Sequence, residues 1–153
     1  MRKTLLFVAI IALLMACGRG RIYEEHRELP NYTWVRLDNL IFETEIKDAD
    51  ASYNIYIAIR HITQYPYKNL MITTIMKTPS GEERFLDYDL KIRDENGKPL
   101  GNGMGDIWDI NIPLRKNFKF LKPGPLIIEF ENRMPRAEIP GILEIGLILE
   151  KHE

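Results

Sequence analysis

The sequence predicts an all-β fold, an antiparallel β-sandwich of immunoglobulin-like type, following a cleaved leader. Three observations predict it. Beyond residue 34, apolar residues recur at every second position in six separate segments, the period of half-buried strands. Breaks rich in Gly, Pro and Asn separate those segments. Long stretches with the 3.6-residue period of a helix are scarce after residue 32.

The segments follow in order. Leu40, Phe42, Thr44 and Ile46 share one face, with Glu43 and Glu45 opposite. Tyr53, Ile55, Ile57 and Ile59 alternate with Asn54, Tyr56, Ala58 and Arg60. Leu70, Ile72, Thr74 and Met76 come next, then Leu86, Tyr88, Leu90 and Ile92 against Asp87, Asp89 and Lys91. Leu126, Ile128 and Phe130 alternate with Glu129 and Glu131, and Leu143, Ile145, Leu147 and Leu149 close the series. Between them lie TQYPYKN, TPSGEE, DENGKPLGNGMGD, LKPGP and PRAEIPG. Seven or eight short strands in about 115 residues fit a sandwich.

The N-terminus departs from this pattern. Arg2 and Lys3 precede Leu5–Ala16, an uncharged apolar run of 12 residues. As a helix it would span about 18 Å, short of the roughly 30 Å hydrocarbon core of a bilayer. A positive start, a short apolar run and a small residue before a cut make a secretory signal. Leu14-Met15-Ala16-Cys17 is similar to the lipobox of bacterial lipoproteins, which implies cleavage before Cys17 and acylation of it, palmitate included. Cys17 is the sole cysteine. The alternative is an ordinary exported protein with a free thiol, which gains little from one unpaired cysteine. Removing 16 of 153 residues leaves 137 and moves the formal net charge from −1 to −3. With no disulfide, the fold must rest on its apolar core, for which this length suffices. Residues 18–31, GRGRIYEEHRELPN, read as a polar tether. The expected organisation is a signal peptide at 1–16, lipidated Cys17 and tether at 17–31, and a β-sandwich domain at 32–153.

Catalytic and metal constellations are not found. His26, His61 and His152 lie far apart and lack zinc-ligand spacing. RDENGKPLGNGMGDIWD lacks the ligand series and closing Glu of a calcium loop, and Asn96-Gly97 suits a tight turn better. Ser52 and Ser80 lie outside any nucleophile elbow. Asp87 and Asp89 fall on the polar face of a strand. The near-neutral charge gives no basic stripe for nucleic acid. No metal, cofactor, small-molecule ligand or catalytic residue is therefore expected.

From Trp34 onward the order of landmarks resembles the GldH family of gliding-motility lipoproteins. The matching pieces are the lipobox, Trp34 followed by Phe42, and YNIYIAIRHITQYPYKNL at 53–70. The TPSG turn, Leu90, DENGKPLGNGMGD, RMP at 133–135 and IPGILEIGLILEK follow. The resemblance implies an envelope lipoprotein needed for gliding of Bacteroidota-type cells. It would act within or beside the machinery that also serves type IX secretion, without enzymatic activity. Its partners would be the membrane, through acylated Cys17, and other gliding-motility envelope proteins. Surface-directed lipoproteins of such cells tend to carry acidic residues right after the Cys. Here Gly18, Arg19, Gly20 and Arg21 follow, which favours the periplasmic face of the outer membrane.

Arg60, His61, Gln64, Tyr65, Tyr67, Lys68 and Asn69 gather at one strand end and its loop. Tyrosines beside an arginine are typical interface anchors, so Arg60, His61, Tyr65, Tyr67, Lys68 and Asn69 are candidate partner-binding residues. The competing reading has Arg60 paired with a local carboxylate and the tyrosines capping the core. A glycan-binding envelope lipoprotein is the alternative function, since aromatic faces stack on sugars.

Overall fold

In the computed structural model, which describes residues 20–152, eleven strands and a single 3-10 turn carry the chain. They are β1 (Arg21–Glu28), β2 (Thr33–Val35), β3 (Leu40–Ile46), β4 (Ser52–Ile62), β5 (Asn69–Lys77) and β6 (Glu83–Lys91). Then come β7 (Asn102–Met104), β8 (Ile107–Lys119), β9 (Gly124–Asn132), β10 (Glu138–Pro140) and β11 (Ile142–His152). A five-stranded sheet has the order β1-β11-β4-β8-β7, and a four-stranded sheet the order β3-β9-β5-β6. A small ribbon, β10-β2, sits apart from both.

The core follows from the alternation. Ile55, Ile57 and Ile59 of β4 lie beside Leu149, Leu147 and Ile145 of β11. Ile57 and Ile59 also face Ile112 and Ile110 of β8. In the other sheet Phe42 pairs with Ile128, which pairs with Met76. The buried faces of the two sheets merge into one apolar cluster that includes Phe42 and Phe130, their ring centroids 5.5 Å apart. Burying such side chains contributes about 1.5–3 kcal/mol each relative to exposure. The expected antiparallel sandwich is thus observed.

Its connectivity is that of a jelly roll rather than the expected immunoglobulin-like order. The antiparallel ladders nest: β1 pairs with β11, β3 with β9, β4 with β8, and β5 with β6. A long ribbon folded at the β5–β6 turn and rolled up gives this pattern, closed by the β11–β4 and β5–β9 ladders. The two short strands β2 and β10 cap one end, where Trp34 and Ile139 pair and are fully buried. Period-two patterning assigns residues to faces and is silent about strand order, so both topologies satisfy the same sequence.

A second correction concerns residues 21–31. They were expected as tether, yet Arg21–Glu28 forms edge strand β1, paired with β11 from Arg21↔Glu150 to Glu28↔Glu144. Backbone hydrogen bonds to β11 hold it, with the ion pair Arg21–Glu150 (3.5 Å) and a polar contact between His26 and Glu144 (3.7 Å) on its side chains. A charged edge strand also discourages further pairing with other chains. The described fold thus includes residues 21–28 as a strand, and Cys17 lies outside the described residues.

Strand register defines two ends. The chain enters beside Gly20, whose carbonyl accepts the Lys151 N–H at 2.5 Å. Turns 47–51, 78–82 and 120–123 and the β11 terminus lie at this end. Segments 29–39, 63–68, 92–106 and 133–141 lie at the opposite end. β4, with 11 residues, separates the two by about 35 Å at ~3.3 Å per residue.

Candidate interaction site

The six candidate residues all fall at the end far from the chain's entry, but they do different things. Arg60 points outward from β4, flanked in register by Glu144 on β11 and Asp109 on β8. Its Nε donates to Asp109 Oδ1 at 2.7 Å and its Nη1 to Glu144 Oε1 at 2.5 Å. Those bonds, the one to Asp109 first, raise the Arg60 pKa above its ordinary value. The contacts form one polar ladder across four strands, because His26 of β1 lies 3.7 Å from Glu144 in turn.

Above this ladder stands the β7–β8 hairpin. Gly103 pairs with Trp108, and a Cβ at Gly103 would come within 2.5 Å of the indole. Only glycine lets the ring fold across its partner strand, and the indole Nε1 then donates to Thr63 Oγ1 at 2.9 Å. The hairpin so held presents Met104, 87% exposed, and Ile107. With Leu143 they wall an open cleft of about 500 Å³ whose floor holds Arg60, Asp109 and Glu144.

The loop after β4 is packed inward. His61 is fully buried and Tyr65 is 2% exposed, their rings edge to face at 5.9 Å. The Tyr65 hydroxyl donates to the Asn69 carbonyl at 2.9 Å. Burial pushes the Tyr65 pKa upward and the His61 pKa downward, since each charged form would be stripped of water. His61 Nδ1 lies 3.1 Å from the Ile62 carbonyl, while its Nε2 has no partner. Arg93 clamps the loop from outside: its guanidinium donates to the carbonyls of Thr63, Tyr65 and Gly97. The Lys68 carbonyl accepts the N–H groups of Ile92 and Arg93. Tyr67 leans on Tyr65 at 5.6 Å and, with Pro66, lines a second cleft of about 660 Å³ beside Arg136, Glu138 and Pro140.

Among the six, Lys68 is exposed, while Arg60, Tyr67 and Asn69, the last at the start of β5, are half-buried. His61 and Tyr65 belong to the core. Among the described residues no group of His, Cys, Asp and Glu is placed to hold a metal ion. In the DENGK turn the Asp94 carboxylate is taken up by the N–H groups of Asn96 and Lys98, both at 2.9 Å.

The sequence profile of the GldH lipoprotein family matches residues 21–149, from the first strand almost to the end of the last. The chain belongs to the GldH lipoprotein family. It is 28% identical to the gliding motility lipoprotein GldH homolog of Christiangramia forsetii, over 97% of this chain and 94% of that protein. To the gliding motility lipoprotein GldH of Flavobacterium johnsoniae it is 25% identical, over 97% of this chain and 95% of that protein. Among solved structures, a family GH115 4-O-methyl-α-glucuronidase specific for decorated arabinogalactans aligns at 13% identity with a TM-score of 0.43. That alignment covers 90% of this chain and 18% of the glucuronidase.

In this GldH-family chain, several residues that organise the distal end escaped the sequence reading. Asp109 and Glu144 lie 49 and 84 residues from Arg60. Arg93 gives no sequence sign of its three carbonyl partners. Asn132, 2% exposed, donates to the Trp34 carbonyl at 3.0 Å and accepts the Met134 N–H at 2.9 Å. It thereby ties the β2–β10 cap to β9, and a polar residue ending an apolar strand was its only signal.

Proposed function

We propose that this GldH-family lipoprotein is a non-catalytic accessory component of the gliding-motility machinery. In this reading Cys17 is acylated and holds the domain on the periplasmic face of the outer membrane. The end far from the anchor then docks another envelope protein. The relatives' names supply the motility setting. One observation carries the docking role: exposed Met104 and Ile107 rise over the Arg60–Asp109–Glu144 ladder on a hairpin that Trp108 holds in place. Exposed apolar side chains beside an orientable charge cluster, on a fixed scaffold, suit protein recognition at low ordering cost. Tyr67 and Lys68 extend the same end.

The test is recovery of envelope proteins with the tagged mature chain from its own membranes. Wild type should bring down motility proteins, and Met104→Glu with Ile107→Glu should lose them and stop gliding while the melting temperature stays unchanged. Undiminished recovery and gliding by the double variant would remove this cleft from the function. The glycan-binding alternative has a different readout, retention of the isolated protein on polysaccharide.

A further inference from the structure

We propose that the end of the sandwich at which the chain enters lies flat on the lipid leaflet that holds the anchor, with Leu121 inserted among the headgroups. The inference rests on acylation of Cys17 and goes beyond it by fixing an orientation. Gly20 is pinned to Lys151, and Arg21 already begins β1. Gly18 and Arg19 alone separate Cys17 from that pinned residue. Four residues reach at most about 14 Å when fully extended, so the domain has no slack to hang away from the bilayer.

The surface so presented has the right chemistry. Leu121 is 83% exposed at the tip of the β8–β9 turn, although Phe120 beside it is buried. Lys119 and Lys122 flank it, and Lys47 lies on the neighbouring β3–β4 turn; none of these three forms an ion pair among the described residues. The carboxylates of this end are mostly paired: Asp48 with Lys151, Glu82 with Arg84, Glu83 with Lys77, and both Glu24 and Glu150 with Arg21. Among the described residues, Asp50 and Glu45 are the exceptions. An apolar tip within a ring of unpaired cations matches the boundary between anionic headgroups and acyl chains. The occupant is a bilayer because the anchor places one there. Orientation then sets reach, since the proposed docking cleft stands about 35 Å above the headgroups.

The test uses the acylated full-length mature chain in vesicles of phosphatidylethanolamine and phosphatidylglycerol. Acylation blocks Cys17, so Leu121→Cys or Lys98→Cys supplies the sole thiol for an environment-sensitive fluorophore. Spin-labelled lipids should quench the probe at 121 several-fold more strongly than the probe at 98, which sits on the distal DENGK turn. Equal quenching at both sites in protein that co-floats with the vesicles overturns the orientation and leaves the anchor standing. A parent chain that takes the label at Cys17, or does not co-float, overturns the anchor and this proposal together.

Discussion

Tyr65 is the residue whose role changes most between sequence and structure, and its truncation has a calculable cost. A tyrosine in a Tyr-Pro-Tyr loop invites the reading of an exposed anchor, but this ring is 2% exposed. It packs edge to face with His61 and Tyr67, and its hydroxyl satisfies the Asn69 carbonyl at the first residue of β5. Tyr65→Ala removes a fully buried aromatic, a change that costs about 3–5 kcal/mol in comparable cores. Tyr65→Phe keeps the ring and removes one hydrogen bond, worth about 1 kcal/mol. For a domain of this size 1 kcal/mol moves the melting temperature by roughly 4 °C. The alanine variant should then melt roughly 12–20 °C below wild type and the phenylalanine variant roughly 4 °C below. Against a total stability of about 5–15 kcal/mol the alanine variant still folds at 25 °C in the upper part of that range. Tyr67→Ala, at a half-buried position, should cost far less. Thermal melting followed by circular dichroism reads all three. A Tyr65→Ala protein melting within about 2 °C of wild type, less than 1 kcal/mol, would show that the ring does not plug the core.

Three further predictions follow from other parts of the chain. Cys17→Ala should abolish metabolic incorporation of a clickable fatty acid, and a variant that still takes up label would place the acyl group elsewhere. Ile57, fully buried between Leu147 and Ile112, should not tolerate aspartate. An unpaired buried carboxylate costs several kcal/mol on top of the lost apolar burial, so Ile57→Asp should be unfolded in solution; a soluble variant with wild-type melting would refute that. Stability should also fall in mild acid through His61. Burial, with Arg93 nearby, holds its folded pKa below the ordinary value, so the unfolded chain binds the proton first as pH drops through about 6.5. The urea midpoint should therefore decline from pH 7.5 to 5.5, and His61→Phe should flatten that decline; identical slopes would exclude His61 as its source.

What the sequence revealed depended on how each strand meets water. β4 was legible because Tyr53, Ile55, Ile57 and Ile59 face the core at strict period two. β1 was not, because an edge strand held by backbone bonds needs few apolar residues, and RIYEEHRE passes for a solvated tether. β8, the longest strand at 13 residues, was hidden by two interruptions. Pro113 sits where β8 has β4 on one side and no neighbour on the other, since β7 reaches no further than Asp109; an edge tolerates the missing N–H. Asn117 adopts φ +53° beside register shifts opposite Ile55, with its N–H on Asn54 Oδ1 at 3.0 Å. Such bulges break the alternation that identifies a strand.

The candidate site was legible as a place and not as a set of contacts. Its location at one strand end came from Arg60 and the loop after it. Which members face outward depended on Arg93 and Trp108, whose partners lie about 30 and 45 residues away in sequence. Gly103 was legible only as part of a Gly-rich break; in the structure it is an extended residue of β7, where the Trp108 indole leaves no room for a Cβ.

The docking role of the distal end is tested most directly by site-specific photo-crosslinking in gliding cells. A photoreactive amino acid replaces Met104 in one strain and Leu121 in another. The probe at 104 should form a discrete adduct with an envelope protein, absent when Arg60 is changed to Glu, and the probe at 121 should yield lipid adducts only. A protein adduct at 121 with none at 104 would contradict the arrangement and place the partner at the membrane-facing end.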